Sequence, residues 1–269
     1  MTAKSDNKVG WDAEYYRKHS TGQQKWAHEL IHKLALKGDE RLLDIGCGDG
    51  RNTAEIASLL PEGSVLGLDY SKDMISLAQK TFPKDKYSNL DFLVCDALRM
   101  EFNSEFDFIF SNAALHWIKD HRTLLKRISC TLKPGGRILL QMGGRGNAQK
   151  IFDILDEMMT EEKWGGYFNN FSSPFGLYTP EEYMPWLSEA YLKPIRVELL
   201  DKDMAHNGRE GFYGWIKSTW LPYTQRVPGN LLDEFINQAI DTYLKDNPAD
   251  EKGVIHIEMK RLEVEAKKE

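Results

Sequence analysis

The sequence lacks the long apolar runs that membrane proteins need. Nowhere do eighteen apolar residues follow one another, and the N-terminal stretch MTAKSDNKVGWDAEYY has no apolar core of the kind found in secretory signal peptides. These absences predict a chain without a membrane span or anchor, in the cytoplasm.

Cysteine and net positive charge are also scarce. The three cysteines, Cys47, Cys95 and Cys130, have no paired spacing, which argues against a disulfide framework or a zinc site and favours a reducing compartment. The 269 residues carry a formal net charge of -6, so composition provides no basic footprint for nucleic acid or an anionic membrane surface. No metal, nucleic-acid or membrane partner is therefore predicted, and the oligomeric state is left open.

The first half of the chain alternates short apolar segments with helical patterns. The five segments are RLLDIG, SVLGLDY, LDFLVCDA, FDFIFSNA and GRILLQMG, each followed by apolar residues at a period of three to four. Near-continuous apolar strands have to be covered on both faces, and parallel neighbours need crossover helices. The pattern predicts an α/β fold with a doubly wound, mostly parallel sheet. The KPGG segment, 133–136, is expected to be a turn between the helix around 124–132 and the last of these strands.

The second half changes to aromatic, irregular segments after Gly143. Two further strands, PIRVELLDKD and GVIHIEMKRLEVEA, are predicted to close the sheet as an antiparallel pair at its edge, which gives seven strands. The segments at about 144–180 and 206–252 are predicted to be helical lid insertions over the strand ends, because neither is long enough to bury a core of its own. We therefore expect a single domain over 1–269.

Three glycines at alternating positions follow the first strand, in RLLDIGCGDGRNTAEIASLL. Gly46, Gly48 and Gly50 lie between a strand and a helix, as in loops that hold nucleotides, although the triplet alone also suits a plain tight turn. A dinucleotide loop would have its third glycine where this chain has Arg51. Asp44 precedes the glycines, and its carboxylate would repel phosphate oxygens and attract an ammonium or sulfonium group. The loop therefore favours a cationic ligand.

Acidic residues also end the next two strands. Asp69, in GLDYS, stands at the spacing at which a carboxylate accepts both hydroxyls of a ribose. Asp96, in VCDA, can accept from an adenine amino group while the backbone N–H of Ala97 donates to a ring nitrogen. With Asp44, these acids match ammonium, ribose and adenine in order, which is the pattern of S-adenosylmethionine.

Four motifs in order carry a family resemblance. LLDIGCGDG, VLGLDYSKDMI, LVCDAL and LKPGGRILLQM resemble the successive motifs of class I S-adenosylmethionine-dependent methyltransferases, over roughly the first half of the chain. The segments SNAALHWIKDH and YRKHSTGQQKWAHELI are similar to small-molecule carboxyl O-methyltransferases, notably trans-aconitate methyltransferases, and to malonyl-carrier-protein and juvenile-hormone-acid methyltransferases. The resemblance implies a Rossmann-like methyltransferase fold, with an N-terminal helical cap at about 10–36 and a cofactor-binding core at about 37–143.

The expected cofactor contacts lie along the strand ends, with Cys47 as a small residue in the tight turn. They are Asp44, Gly46, Cys47, Gly48, Asp69, Tyr70, Met74, Asp96, Ala97, Asn112 and Ala113.

Three residues are predicted at the reacting centre. His116 is a candidate general base or substrate ligand, or else a histidine that makes a local hydrogen bond. Trp117 either walls the sulfonium pocket or belongs to the core. Gln23 matches a glutamine that the similar families place near the reacting centre, while the alternative for it and for Gln24 is a solvated amide.

Aromatic and basic residues outside the core have two interpretations each. Near the N-terminus, Trp11, Tyr15 and Tyr16 either cover the cofactor or form a hydrophobic staple. The lid candidates are Trp215, Trp220 and Tyr223. Carboxylate clamps or solvated surface charges are the alternatives for Arg145, Arg209 and Arg226.

The predicted reaction is methylation of a small carboxylic acid similar to trans-aconitate. A carboxylate is ionised at neutral pH, so in-line transfer needs positioning and exclusion of water rather than a base. The alternatives are a carrier-protein-bound acid, a nitrogen, carbon or phenol oxygen of a small molecule, or a cofactor-binding module that acts through a protein partner.

Overall fold

A computed structural model describes Gly10 and residues 21–269 of the chain. Those residues form two compact units. The core unit comprises 21–147, 175–202 and 259–269, and the insert unit comprises 148–174 and 203–258. Trp11, Tyr15 and Tyr16 lie outside the described residues. None of the helices in the described part has the length and apolar character needed to cross a bilayer.

One seven-stranded sheet organises the core unit, in the order β3-β2-β1-β4-β5-β7-β6. The strands are β1 Arg41–Ile45, β2 Ser64–Asp69, β3 Leu90–Val94, β4 Phe106–Asn112, β5 Leu132–Gly143, β6 Leu192–Asn207 and β7 Val254–Lys268. Strands β1 to β5 pair in parallel, and β7 is antiparallel to β5. The predicted fold class is confirmed, and the two late strands lie together at one edge.

The helices that connect these strands are α1 Thr21–Ile31, α2 Arg51–Ser58, α3 Lys72–Thr81, α4 His121–Thr131 and α7 Pro180–Glu189. Short 3-10 turns cover Ala97–Arg99 and Leu115–Trp117. Alternate strand residues enter two apolar layers: Leu42 packs in the layer that contains Leu30 of α1, and Leu43 in the layer that contains Leu124 of α4. Burial of β1 and β4 on both faces explains why these strands read as continuous apolar runs.

The KPGG segment differs from its prediction. Helix α4 ends at Thr131 and β5 begins directly at Leu132, so KPGG lies within the strand. The register with β4 shifts there, because Pro134 has no N–H to donate to the ladder and Gly135 has a positive φ of 77°. The segment is therefore an irregular start of the strand, and the turn prediction is wrong.

The insert unit contains α5 Gln149–Met158, α6 Glu162–Gly165, α8 Gly208–Thr219, α9 Leu221–Thr224 and α10 Gly229–Asp246, with a 3-10 turn at Gly166–Phe168. Aromatic rings from the two insertions pack on one another: Phe168 stacks on Phe235 with centroids 5.8 Å apart, and Phe171 lies 4.8 Å from Tyr223. Each insertion therefore contributes aromatic rings to one core that the two insertions share. The division into one or more domains stays a prediction.

The aromatic lid candidates are buried. Trp215 and Trp220 contact each other with ring centroids 5.7 Å apart, and Tyr223 lies 5.8 Å from Trp220. The sequence predicts these three aromatic residues as lid candidates. In the structure, their rings are core residues of the insert unit.

Candidate active site

The glycine loop after β1 uses its three glycines in two ways. All three have positive φ, 76° at Gly46, 55° at Gly48 and 80° at Gly50. A Cβ on Gly46 would stand 2.1 Å from that of Ala114, and one on Gly50 would stand 2.6 Å from the Phe92 ring. A Cβ on Gly48 would meet nothing within 4 Å. Packing therefore requires Gly46 and Gly50, whereas Gly48 borders open space that a ligand can occupy.

Asp69, at the end of β2, holds this loop against the start of α3. Its Oδ2 accepts from the Gly48 N–H at 3.0 Å and its Oδ1 from the Ser71 N–H at 2.8 Å. Burial raises the pKa of its carboxyl. Of its predicted neighbours, Met74 is buried, while Tyr70 is 59% exposed and can cover a ligand only from the solvent side.

Asp44 lies beneath the loop. Its side chain is buried, its Oδ2 accepts from the Thr53 hydroxyl at 2.7 Å, and burial raises its pKa to about 7. Cys47 is also buried, and the pKa of its thiol is raised by the same desolvation, so the thiol has the properties of a small packing residue. A cation beside Asp44 would favour its ionised form.

Asp96 follows β3 and begins the short turn at Ala97–Arg99. Its Oδ1 accepts from the Leu98 N–H at 2.9 Å, and Arg99 Nε lies 3.7 Å from its Oδ2. The Asp96 carboxylate still has acceptor positions on Oδ2, because a carboxylate can accept about four hydrogen bonds. The turn sets Ala97 on the buried side.

At the end of β4, Asn112, whose side-chain oxygen is buried, is followed by a residue with positive φ, Ala113. Asn112 Oδ1 is buried without a hydrogen-bond partner among the described residues. Ala113 has a φ of 56°, and its N–H donates to Gln141 O at 2.8 Å. A non-glycine residue in this region costs about 1–2 kcal/mol. Such strain is typical of a functional turn.

His116 lies in the 3-10 turn that follows. Its Nδ1 accepts from the Gly143 N–H at 3.3 Å, so the ring proton of the neutral form is on Nε2. Burial lowers the pKa of His116 to about 3, and the charge of Arg261 lowers it further in the same direction. The rings of Trp117 and Phe175 flank it, at 5.9 and 6.0 Å between centroids. His116 is therefore a neutral hydrogen-bond donor.

The predicted arginine clamps have other partners. Arg145 is 3.0 Å from Glu182, Arg209 is 2.5 Å from Asp241, and Arg226 lies over the Phe171 ring. These surface pairs agree with the interpretation as solvated or ion-paired charges. Gln23 lies on α1, one turn before Trp26, and its side chain is outside the described part of the structure.

The sequence interpretation missed Arg261. This arginine on β7 is only 3% exposed, pairs in register with Gly143 of β5, and its guanidinium lies 5.4 Å from the ring centroid of Trp26. A signal was present: Arg261 is in phase with Ile257 and Met259, so strand alternation already places a charge on an apolar face.

Comparisons with known proteins identify the family of the chain. A family model described as a methyltransferase domain matches residues 36–191, more than half of the chain. A trans-aconitate 2-methyltransferase of Deinococcus radiodurans is 30% identical over 228 residues, 81% of this chain and 84% of that protein. A malonyl-[acyl-carrier protein] O-methyltransferase of Priestia megaterium is 26% identical over 253 residues, 90% and 89% of the two chains. A juvenile hormone acid O-methyltransferase of Drosophila melanogaster is 28% identical over 220 residues, 78% and 73% of the two chains.

Among solved structures, the fold is similar to that of Haemonchus contortus phosphoethanolamine N-methyltransferase 2 in complex with S-adenosyl-L-methionine. The TM-score is 0.60 at 21% identity, and the match covers 95% of this chain and 56% of that chain. At this identity the likeness concerns the fold alone. The matched domain, the relatives and the ordered motifs lead to one family: the chain is a class I S-adenosylmethionine-dependent methyltransferase, similar to the trans-aconitate methyltransferases.

Proposed function

We propose that this methyltransferase binds S-adenosylmethionine along the carboxyl ends of β1 to β4 and methylates a carboxylate of a small organic acid. S-Adenosylmethionine, when bound, supplies a methyl group activated by a sulfonium. The substrate part of the proposal depends mainly on one observation: His116 is neutral, with Nδ1 already engaged by the Gly143 N–H.

The residues at the first four strand ends fit the cofactor. The open space beside Gly48 would admit a ligand close to the backbone, and Asp69, which already holds the Gly48 N–H, would accept ribose hydroxyls. Asp96 would accept the adenine amino group, and Asp44 would stabilise a positive charge. The buried Asn112 Oδ1 would gain the hydrogen-bond donor that the described residues do not provide.

The acceptor follows from the chemistry of His116. A general base at this position would need a free ring nitrogen and a pKa near neutrality. His116 instead keeps its proton on Nε2, from which it can donate to an acceptor oxygen and orient it. A carboxylate needs no base because it is ionised well below neutral pH. A phenol or an ammonium group would have to lose a proton first, so the site favours the acid.

In the proposed reaction, one carboxylate oxygen attacks the methyl carbon in line with the breaking sulfur–carbon bond. The electron pair of that bond stays on sulfur, and the products are a methyl ester and S-adenosylhomocysteine. His116 donates to the acceptor and holds it near the methyl group. Trp117 and Phe175, whose ring centroids are 4.7 Å apart, form an apolar wall that excludes water.

The names of the relatives support an acid as the acceptor. Trans-aconitate, malonyl-carrier-protein and juvenile hormone acid each carry a carboxyl group. A free small acid and a carrier-bound acid are chemically equivalent at the reacting oxygen, so the carrier-bound acid is the second candidate. The cytoplasmic location, the absence of a nucleic-acid partner and the absence of a metal stay predictions.

The test is a panel assay with radiolabelled S-adenosylmethionine. Small mono-, di- and tricarboxylic acids, a malonyl-carrier protein, a phenol and an amine are compared at equal concentration. We expect base-labile methyl esters of the acids. Label in the phenol or the amine, with the acids unlabelled, would overturn the carboxylate proposal. Label only in the carrier protein would favour the second candidate.

A further inference from the structure

A chain of buried hydrogen bonds supports the turn that carries His116. His121, the first residue of α4, is buried, and its Nε2 lies 2.9 Å from the carbonyl oxygen of Leu115, the first residue of that 3-10 turn. A carbonyl oxygen can only accept, so Nε2 carries the ring proton and donates it to Leu115. The side chain of His121 therefore ties the start of the helix back to the turn.

Tyr183, on α7, orients His121 in this tautomer. The buried Tyr183 hydroxyl is hydrogen-bonded to His121 Nδ1, and the hydroxyl is the donor because Nδ1 of this neutral tautomer has no proton. Met142 Sδ, at 3.4 Å, is a second and weaker acceptor for the same hydroxyl. Burial lowers the pKa of His121 to about 4 and raises the pKa of the Tyr183 phenol, so both groups keep their protons in place near neutral pH.

The segment before α7 makes two further bonds to the same region. The Gly176 N–H donates to His116 O at 2.9 Å, and the Tyr178 hydroxyl donates to Lys119 O. A Cβ on Gly176 would stand 2.3 Å from Ile118 O, so the close approach of the two backbones requires glycine. The backbone around His116 is therefore held by residues that are distant in the sequence.

We propose that His121, oriented by Tyr183, is a positioning residue that holds the 115–117 turn and thereby directs the Nε2–H of His116 at the acceptor carboxylate. This inference rests on the proposed function, in which His116 binds the acceptor. The bond from the Gly143 N–H to His116 Nδ1 is long at 3.3 Å, so the direction of the imidazole depends on where the turn places its backbone. His121 and Tyr183 act only through His116 in this scheme.

The first test is a double-mutant cycle on the kinetics of the best acid in the panel. Tyr183→Phe removes one hydroxyl from a buried ring, His121→Leu removes the donor to Leu115, and His121→Gln keeps an amide N–H that can reach towards the same carbonyl. Tyr243→Phe is the matched control, because Tyr243 is similarly buried and its hydroxyl donates to the backbone carbonyl of His256, on β7, at 2.7 Å. Circular dichroism and the affinity for S-adenosylhomocysteine check the fold.

We expect Tyr183→Phe to lower kcat/KM for the acceptor by about threefold to tenfold, the range that corresponds to one hydrogen bond, and His121→Leu to lower it by at least about tenfold. His121→Gln should recover part of that loss, and Tyr243→Phe should leave kcat/KM unchanged. In the His116→Asn background, Tyr183→Phe and His121→Leu should have no further effect, because the side chain that they position is gone. A merely structural role would produce the same loss in both backgrounds.

Nitrogen NMR of protein with isotope-labelled histidine separates this inference from the proposed function, because it needs no substrate. The spectrum of His116→Asn identifies the signals of His116. In the wild type we expect the form with the proton on Nε2 and with Nδ1 as an acceptor. His121→Leu and Tyr183→Phe should shift the Nδ1 resonance of His116, since a displaced turn changes its bond to the Gly143 N–H.

A folded His121→Leu or Tyr183→Phe variant with unchanged kcat/KM would overturn the inference, and so would equal losses in the wild-type and His116→Asn backgrounds. Tyr183→Phe provides the test if His121→Leu does not fold. In a protein that methylates none of the acids, shifted His116 resonances would contradict the proposed function alone, and unshifted resonances would contradict both.

Discussion

The two halves of the sheet edge differ in the charge that they offer. On the side of β1, β2 and β3, the strand ends carry Asp44, Asp69 and Asp96. On the side of β4, β5 and β7 lie the neutral imidazole of His116 and the buried cation of Arg261. A cationic methyl donor suits the first half and an anionic acceptor suits the second. Under the proposed function, two ligands of opposite charge would lie at separate parts of one sheet edge.

Burial shifts the pKa values of side chains in both halves of this edge, but in opposite directions. It raises the pKa of Asp44 to about 7 and lowers that of His116 to about 3, because in each case desolvation disfavours the charged form. His116 is therefore neutral throughout the neutral range, whereas Asp44 is divided between its two forms. A cation bound beside Asp44 would favour the ionised form of its carboxyl.

The largest expected effect tests whether the acidic half is a ligand site at all. Gly48→Val should raise the Kd for S-adenosylmethionine at least about 100-fold, equivalent to about 2.8 kcal/mol, because its side chain would fill the open space beside the loop. The positive φ adds about 1–2 kcal/mol of strain to the folded state. Calorimetry measures the affinity, and circular dichroism measures the fold. Normal affinity in a folded variant would show that the loop is only a tight turn and does not contact the ligand.

The second effect concerns the ribose carboxylate. Asp69→Ala should weaken S-adenosylmethionine binding by about 1.5–3 kcal/mol, since a charge-assisted hydrogen bond is lost at a half-buried position. Asp91→Ala is the matched control, because Asp91 is an exposed residue of β3 that pairs with Lys84. If both variants bind the cofactor equally well by calorimetry, Asp69 does not contact the ribose.

The third effect uses the pKa of Asp44. A cation binds the ionised carboxylate more tightly, so affinity for S-adenosylmethionine should rise as the pH increases through about 7. One unit below that pKa, the Kd should be about tenfold weaker than at high pH, and binding should release a proton. Calorimetry in buffers of different ionisation enthalpy detects that proton. The Asp44→Asn variant should show neither effect, and a pH-independent wild type would place Asp44 away from the positive charge.

The smallest expected effect tests the half of the sheet edge that contains His116, where the acceptor is proposed to bind. The rate of the chemical step should be nearly flat from about pH 6 to 9, because an acceptor carboxylate is ionised throughout this range. His116→Asn should raise the acceptor KM more than it changes the pH profile, while His116→Gln, whose amide reaches farther, should recover part of the loss. Single-turnover rates across this range provide the measurement. A rate that rises tenfold per pH unit in the wild type and disappears in His116→Asn would demonstrate a general base.

The grouping of the three acids could be predicted from the sequence because each lies at or just beyond the carboxyl end of its own strand. Parallel pairing brings the ends of such strands to one edge, so Asp44, Asp69 and Asp96 need no long-range information to be placed together. The distinction between the glycines could not be predicted. It depends on Ala114 and Phe92, which reach Gly46 and Gly50 only after folding.

The acceptor half depends on contacts between distant segments. His116 could be identified from its motif, but its tautomer is determined by the N–H of Gly143, on the next strand of the sheet. Arg261 lies 145 residues after His116 in the chain, and the burial of its charge depends on α1 and β5 together. Strand alternation could place Arg261 on the inner face, but it could not say which neighbours it would meet.

The position of β7 has a consequence for synthesis on the ribosome. It is an interior strand, between β5 and β6, yet its residues follow those of every other strand in the sequence. Until Val254–Lys268 leaves the exit tunnel, the emerging sheet has unpaired backbone along β5 and β6, which is a surface prone to aggregation. Arg261 arrives with this last strand. The pairing of β5 and β6 with the rest of the sheet is therefore completed only when the last strand has emerged.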